Sequence, residues 1–302
     1  MSKEKRSTSF ISYLMAFIIG AVISVMVVCN TELGLRTSNN ISIATNQLVG
    51  IISLFVIMLC TKSSKTLNPP RQSAPLWRWF GGLFGLVILT INYFAVSIAG
   101  ATIAMAAAVL GQCVMGFIFD VTGFMGMEKR KTTRKKLLSL LISFAGIMIM
   151  LLFSGDENLL DILFYALLSV IAGATTMTQM VYNSGFAKLK GPLFSARQNV
   201  ISGFCGILLF IVIFNLKGEM EAVKGLQELT LVEIVAGGLL GQIVVVGSNI
   251  VIPKIPGAVS SILMSAGQII TAVVLDYFMY SVFEPSLIIG ALLMILGIML
   301  SE

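Results

Sequence analysis

The residues of this sequence best suited to binding a ligand are side-chain amides that lie within long apolar stretches. Gln112 and Gln268 each lie about midway along such a stretch. An amide offers two hydrogen-bond donors and an acceptor, which suits recognition of a neutral or zwitterionic polar molecule. The alternative is that the two amides hydrogen-bond one helix to another, a common use of Gln in apolar surroundings. Both interpretations stay open.

Several other polar residues share this apolar setting. A polar group in hydrocarbon is unfavourable unless it is paired or faces water, so each is a candidate for a binding site. We expect the substrate to contact Gln112, Gln268, Asn92, Tyr93, Asn46, Asn199 and Gln179. Bonding between helices is the alternative for the asparagines. A place in an interfacial aromatic belt is the alternative for Tyr93.

Polar residues also occur where the apolar stretches end. We expect a gate or a coupling role for Glu32, Asn30 and Asn183. A carboxylate at a gate can bind a proton or another cation, so Glu32 is a candidate for proton coupling. The alternatives are helix capping by the asparagines and an exposed Glu32 paired with Arg36. For Asp120 and Asp276 we expect structural roles, such as anchoring basic groups or helix ends.

The sequence gives no support for a catalytic site. The chain has no His, which excludes His-ligated zinc, Ser-His or Cys-His catalysis and His proton relays. The cysteines are single and widely spaced, at positions 29, 60, 113 and 205. They form neither a metal-binding spacing nor a disulfide framework. We therefore expect no catalytic residue, no metal and no cofactor.

The composition places these residues in a membrane protein. Of 302 residues, 57% are hydrophobic and only 11% are charged, and the mean hydropathy is +0.97. A soluble domain carries roughly 25% charged residues. A helix of about 20 apolar residues crosses a bilayer. We expect an all-α polytopic membrane protein with the lipid bilayer as a partner, and soluble, secreted and nucleic-acid-binding classes are excluded.

Apolar blocks separated by polar loops predict ten spans. They cover residues 10–31, 42–61, 77–97, 100–120, 137–153, 160–183, 196–215, 231–251, 257–279 and 285–300. The first block has a basic flank and no small-residue cleavage site, so we expect a retained helix rather than a removed signal.

The basic residues predict the orientation of these spans. With the N-terminus inside, seventeen of the 20 Lys and Arg residues fall in inner segments, and only Arg36, Lys217 and Lys224 fall outside. Basic residues accumulate in cytoplasmic loops. We expect a multi-pass protein of the plasma (inner) membrane with both termini in the cytoplasm.

The two halves of the chain repeat each other. Gly20, Asn30, Ser42, Asn46 and Gly50 recur 153 residues later, and the pairs 81–85 and 111–112 recur 156 residues later. The halves are 1–155 and 156–302, with five predicted spans each. Because five is odd, the second copy must enter the membrane the opposite way up. Two inverted copies provide a basis for alternating access in transporters.

These repeated motifs resemble the drug/metabolite transporter (DMT) superfamily, and its YdcZ-like branch in particular. The resembling residues are WRWFGGLFG, AGAT, VLGQ and Asp120 in the first half, with GGLLG, PGAV, SAGQ and Asp276 in the second. The resemblance implies a DMT/EamA-like fold of two inverted five-helix repeats and a plasma-membrane transporter of small molecules. The copies differ where Met26 matches Gln179 and where Glu32 matches Gly185.

We therefore expect a secondary active transporter or exchanger that moves a small polar metabolite or drug, neutral or cationic, by alternating access. No GxxxxGK[ST] sequence occurs, which disfavours ATP-driven transport by this chain alone. A flippase for a lipid-linked small molecule is the alternative within transport. A non-transporting membrane subunit and an intramembrane enzyme are the alternatives from other classes. Whether the chain acts as a monomer or as a homodimer stays open.

Overall fold

A computed structural model describes the backbone of residues 3–61, 72–123, 133–152, 159–252, 257–281 and 285–300. Within these ranges the regular structure is helical throughout. The α-helices are α1 (Lys3–Arg36), α2 (Asn39–Cys60), α3 (Gly82–Thr122), α4 (Arg134–Leu152), α5 (Leu159–Lys190), α6 (Pro192–Phe214), α7 (Leu216–Ala222), α8 (Leu231–Val251), α9 (Gly257–Tyr280) and α10 (Pro285–Met299). Short 3₁₀ helices cover Leu76–Trp79 and Val223–Glu228.

Six helices in the described part of the chain are long and apolar enough to cross a membrane, which makes this a membrane protein. The candidate spans are Ile11–Arg36, Asn39–Cys60, Gly82–Phe119, Leu160–Lys190, Pro192–Phe214 and Leu231–Val251. Gly82–Phe119 covers two of the ten predicted spans. Three further predicted spans coincide with shorter apolar helices, Leu137–Met150, Leu263–Met279 and Pro285–Gly297. The ten-span arrangement stays a prediction.

Two helices run farther than the hydropathy pattern predicted. The pattern ended the spans at residue 31 and residue 183, whereas α1 continues to Arg36 and α5 to Lys190. Asn30 and Asn183 therefore lie inside helices. Their side chains are hydrogen-bonded to neighbouring helices, which lowers the cost of an amide within an apolar helix.

Helix α3 is interrupted at Gly100. This residue has φ 77° and ψ 164°, a backbone conformation that is essentially restricted to glycine. The amide groups that follow the break are satisfied by Asp276 of α9. Its carboxylate accepts hydrogen bonds from the backbone N–H of Ala101 at 3.0 Å and of Thr102 at 2.6 Å. A buried carboxylate from another helix thus caps the second stretch of α3.

The chain divides into two compact units. Unit 1 comprises Met1–Val25, Phe94–Thr178 and Val251–Glu302, and unit 2 comprises Met26–Tyr93 and Gln179–Ile250. In unit 1, α4 packs along α10. Gly146 and Gly290 bring these two backbones together, since a methyl group added to Gly146 would lie 2.7 Å from the carbonyl oxygen of Gly290.

Other glycines of unit 1 form matched helix crossings. A methyl group on Gly20 would overlap the carbonyl oxygen of Met264, and one on Gly173 would overlap that of Ala108. Gly173 follows Gly20 by 153 residues, and Met264 follows Ala108 by 156. The same offsets relate the contact of Gly111 with Val170 to that of Gly267 with Phe17. Small residues permit such close backbone approach in membrane proteins.

Unit 2 is built on the packing of α2 against α6. Its apolar contacts include a buried group formed by Leu54, Leu193, Ala196 and Val200. A second group contains Ile43, Ile207 and Ile211. Both groups hold the same two helices together along their length.

The break at Gly100 predicts that alanine substitutions at two glycines of α3 have different effects on stability. We expect Gly100→Ala to lower the free energy of unfolding by about 1–3 kcal/mol, because alanine does not adopt this conformation without strain. Gly116→Ala is the matched control. Its added methyl group would meet only Met177 Cε at 3.6 Å, an ordinary contact. Unfolding in detergent, followed by circular dichroism, measures both. Equal stability of the two variants would contradict the assignment.

Candidate functional site

Unit 2 contains a buried group of amides between α5 and α6, which we call the second amide cluster: Gln179, Asn183, Ser195 and Asn199. Asn199 Oδ1 accepts from Asn183 Nδ2 at 2.9 Å and from Gln179 Nε2 at 3.2 Å. Gln179 Nε2 also lies 3.0 Å from the carbonyl oxygen of Gly81. Ser195 Oγ donates to the backbone carbonyl of Asn183 at 2.9 Å.

The same arrangement occurs between α1 and α2 of unit 2, in the first amide cluster: Asn30, Ser42 and Asn46. Asn46 Nδ2 donates to Asn30 Oδ1 at 3.1 Å, and Ser42 Oγ donates to the carbonyl oxygen of Asn30 at 2.6 Å. These residues precede Asn183, Ser195 and Asn199 by 153 positions. Met26 occupies the position that corresponds to Gln179, so the first cluster lacks that amide.

Glycines at the start of α3 and in α8 allow these segments to pack closely against the clusters. A methyl group on Gly81 would overlap Asn183 Oδ1, and one on Gly82 would overlap the carbonyl oxygen of Asn199. On α8, a methyl group on Gly237 would overlap Asn30 Oδ1, and one on Gly238 would lie 2.6 Å from Val49 Cβ. Larger residues at these four positions would push the helices away from the amides.

At one further glycine in each set, an added methyl group would make only ordinary van der Waals contacts. A methyl group on Gly85 would lie 3.4 Å from Gln179 Nε2 and 3.7 Å from Gln47 Nε2. A methyl group on Gly241 would lie 3.4 Å from Met26 Sδ and 3.6 Å from Asn46 Nδ2. Gly241 follows Gly85 by 156 residues. Each of these positions would accommodate a methyl group and lies beside amide side chains.

Two buried glutamines of unit 2 were missed by the sequence analysis. Gln47 of α2 packs against Gly203 and lies near Gly85. Gln242 of α8 donates to the carbonyl oxygen of Gly238 at 3.3 Å and packs against Gly50. Both are single amides in apolar stretches, which was the available signal. They were overlooked because the repeat pairs them with Val200 and Leu86.

Asn92 and Tyr93 lie beside the first amide cluster. Together with Asn30 they line a small cavity of about 10 Å³. Asn92 is buried, and Tyr93 is half-buried with its ring against Gly34. The structure thus brings three sequence-predicted residues to one place in unit 2.

The 3₁₀ helix Leu76–Trp79 adjoins the second amide cluster. Its Trp77 carbonyl accepts from the Tyr182 hydroxyl, and its Trp79 carbonyl accepts from Gln198 Nε2 at 3.2 Å. The Trp79 ring packs edge-on against Phe186, with ring centres 5.6 Å apart. These contacts fix the aromatic segment to both α5 and α6, directly before Gly81 and Gly82 in the chain.

In unit 1, Gln112 and Gln268 lie together. Gln112 Nε2 donates to Gln268 Oε1 at 3.2 Å, and both side chains are buried. Ser24 Oγ donates to the backbone carbonyl of Gln268 at 2.8 Å. The geometry is that of a hydrogen bond between α3 and α9. A substrate contact for this pair stays a prediction.

The predicted charged residues have different surroundings. Glu32 is half-buried near the end of α1. Arg36 forms a salt bridge with Glu233, with Nη1 and Oε1 3.1 Å apart. Asp276 caps α3, as described above, and the side chain of Asp120 lies outside the described residues. No three His, Cys, Asp or Glu side chains in the described ranges could hold a metal ion.

A buried carboxylate in the α6–α8 connection also escaped the sequence analysis. Glu219 of α7 accepts hydrogen bonds from the Ser38 hydroxyl, from Asn40 Nδ2 at 2.9 Å and from Asn215 Nδ2 at 3.2 Å. Ser38 is the N-cap of α2. Glu219 therefore fixes α7 to the first turn of α2. Nothing in a loop sequence distinguishes this acid from exposed ones.

The glycines of α3 provide a test of the geometry at the second cluster. We expect Gly82→Ala to destabilise the protein by about 1–3 kcal/mol or more, because its methyl group overlaps the Asn199 carbonyl oxygen. Gly85→Ala, three residues away, should leave stability within about 1 kcal/mol, since glycine-to-alanine changes inside helices are otherwise mildly favourable. Unfolding in detergent measures both. Equal losses would contradict the packing described.

Comparisons with known proteins agree with the resemblance found in the sequence. The family described as "Putative inner membrane exporter, YdcZ" matches residues 11–149 and 164–300. A crystal structure with 14% sequence identity is similar at a TM-score of 0.63, over 98% of this chain and 97% of its own, which shows a shared fold. No curated protein matches. The chain belongs to the YdcZ family of the drug/metabolite transporter superfamily.

Proposed function

We propose that this protein is a secondary transporter that exports a small polar molecule, neutral or cationic, by alternating access. The observation that carries the proposal is the pair of amide clusters buried in candidate membrane spans of unit 2. Polar side chains are rare in spans and mark substrate paths. Membership of an exporter family supports the same conclusion.

The proposed architecture is ten spans in two inverted repeats of five, with both termini in the cytoplasm. The matched hydrogen bonds of the two clusters support the repeat, because equivalent residues make equivalent contacts. The paired glycine contacts of unit 1 support it independently. The distribution of Lys and Arg supports the orientation.

We place the proposed substrate contacts at Gly85 and Gly241. The side chains beside these glycines are Gln47, Gln179 and Asn46. None of them is charged, and each amide both donates and accepts hydrogen bonds. A neutral polar ligand fits these groups, and an ammonium group fits the amide oxygens. An anion would lack a cationic partner among them.

A second candidate function is flipping of a lipid-linked molecule. The observation that favours it is an apolar groove of about 330 Å³ in unit 2, lined by α2, α6 and the α6–α8 connection. Leu48 and Leu208 on its walls are exposed apolar residues within candidate spans. A hydrocarbon chain fits such a surface, and the assay below includes a lipid probe for this reason.

Transport is tested with purified protein in proteoliposomes. Vesicles are loaded in turn with labelled amines, amino acids, nucleosides and vitamins, and with a fluorescent phospholipid as the lipid probe. We expect saturable efflux of at least one water-soluble compound. Gln179→Leu should raise its KM or abolish its efflux, because Gln179 lies at the proposed contact.

The controls use folded variants outside the proposed contacts. Glu221→Gln changes an exposed residue of α7 and should transport as the wild type does.

Gln112→Leu tests the pair in unit 1, where a changed KM indicates substrate contact and a loss of stability alone indicates a structural hydrogen bond. Movement of the lipid probe alone would favour the flippase. No movement by folded wild-type protein would overturn the proposal.

Coupling to protons is proposed to involve Glu32. We expect Glu32→Gln to keep measurable efflux but to lose its dependence on a pH gradient, because glutamine does not titrate. Glu221→Gln is again the control and should keep the dependence. Efflux measured with and without an imposed gradient checks the expectation. An intact dependence in Glu32→Gln would exclude Glu32 as the coupling residue.

A further inference from the structure

The cavity beside the first amide cluster contains an unusual set of polar atoms. Asn30 Nδ2, Thr31 Oγ1 and Asn92 Oδ1 are buried without a hydrogen-bond partner. Their residues are 8%, 1% and 7% exposed, respectively, so bulk water does not satisfy them. All three residues line the same cavity. Buried polar groups in native proteins are nearly always hydrogen-bonded, to protein or to ordered water.

We propose that this cavity binds one water molecule that bridges Asn30 and Thr31 of α1 to Asn92 of α3. The cavity volume of about 10 Å³ is close to the space that one water requires. A buried water typically makes about three hydrogen bonds. The number of unpartnered atoms matches that requirement. The proposal does not depend on the proposed transport function.

The chemistry of the three atoms selects water over a metal cation. Asn30 Oδ1 accepts from Asn46 Nδ2 at 3.1 Å, which directs the Asn30 NH₂ group away from that bond. An NH₂ group is a donor and repels a cation, whereas a water oxygen accepts from it. Water can then donate to Asn92 Oδ1 and exchange a hydrogen bond with the Thr31 hydroxyl. No residue lining the cavity is charged.

In the second half of the chain the NH₂ groups of the two equivalent asparagines donate to protein oxygens. Asn249 matches Asn92 at an offset of 157 residues, and its Nδ2 donates to the carbonyl oxygen of Pro192 at 3.2 Å. Asn183, the equivalent of Asn30, donates its Nδ2 to Asn199. The unpartnered Nδ2 of Asn30 therefore has no counterpart at Asn183, and Asn249 supplies a matched control.

The test is hydroxyl-radical labelling by X-ray pulses in H₂¹⁸O, read by mass spectrometry on the full-length protein in detergent. Radicals formed from a bound water modify the side chains that contact it. Ile43 lines the cavity, and Ile207 lies in the same apolar group without lining it. Both are buried. We expect Ile43 to be modified several-fold faster than Ile207, and equal rates would overturn the proposal.

Variants link the labelling to the three partners. Asn92→Leu should reduce modification of Ile43 to the level of Ile207, whereas Asn249→Leu should leave it unchanged. Thr31→Val removes one partner at nearly constant size and should lower it too, so the test survives if Asn92→Leu fails to fold. Unchanged labelling in folded Thr31→Val would contradict the bridge. Loss of labelling when sodium replaces choline would assign the cavity to a cation instead.

Discussion

An amide side chain inside a membrane span needs a hydrogen-bond partner, and this constraint organises unit 2. Asn30 is paired with Asn46, and Asn183 with Asn199, so each pair fixes two helices at one depth. The paired amides lie so close to a third helix that only glycine fits opposite them, as at Gly237 of α8. The buried amides and the glycines opposite them therefore depend on each other, because the close packing of the paired amides requires glycine on the third helix.

The repeat in the sequence was informative about side-chain neighbours as well as about helices. The match of Gln112 with Gln268 led to the expectation that they face each other, and they lie in hydrogen-bond contact. Hydropathy was less informative about helix ends, because it treats an asparagine alike whether or not it has a partner. Gln47 and Glu219 were missed for different reasons. The repeat matches Gln47 with Val200, so no second amide marked this position. The burial of Glu219 depends on contacts with distant segments, which no local pattern indicates.

The two halves are alike in framework and different in detail. The serine and asparagine bonds recur, whereas Met26 replaces an amide and Asn92 makes none of the contacts of Asn249. A duplicated framework keeps equivalent backbone positions because the glycine contacts tolerate nothing larger. Gly85 and Gly241 have looser contacts, and the side chains beside them, Gln179 and Met26, are where the copies differ.

The cap on the second stretch of α3 has a mechanical consequence. Asp276 holds two backbone amides of α3 through a carboxylate that belongs to α9, and Gly100 removes the helical continuity that would otherwise hold those amides. A displacement of α9 along its axis must then pull the start of this stretch with it or break two charge-assisted hydrogen bonds. We therefore expect α9 and the second stretch of α3 to move together, although they are more than 150 residues apart in the chain.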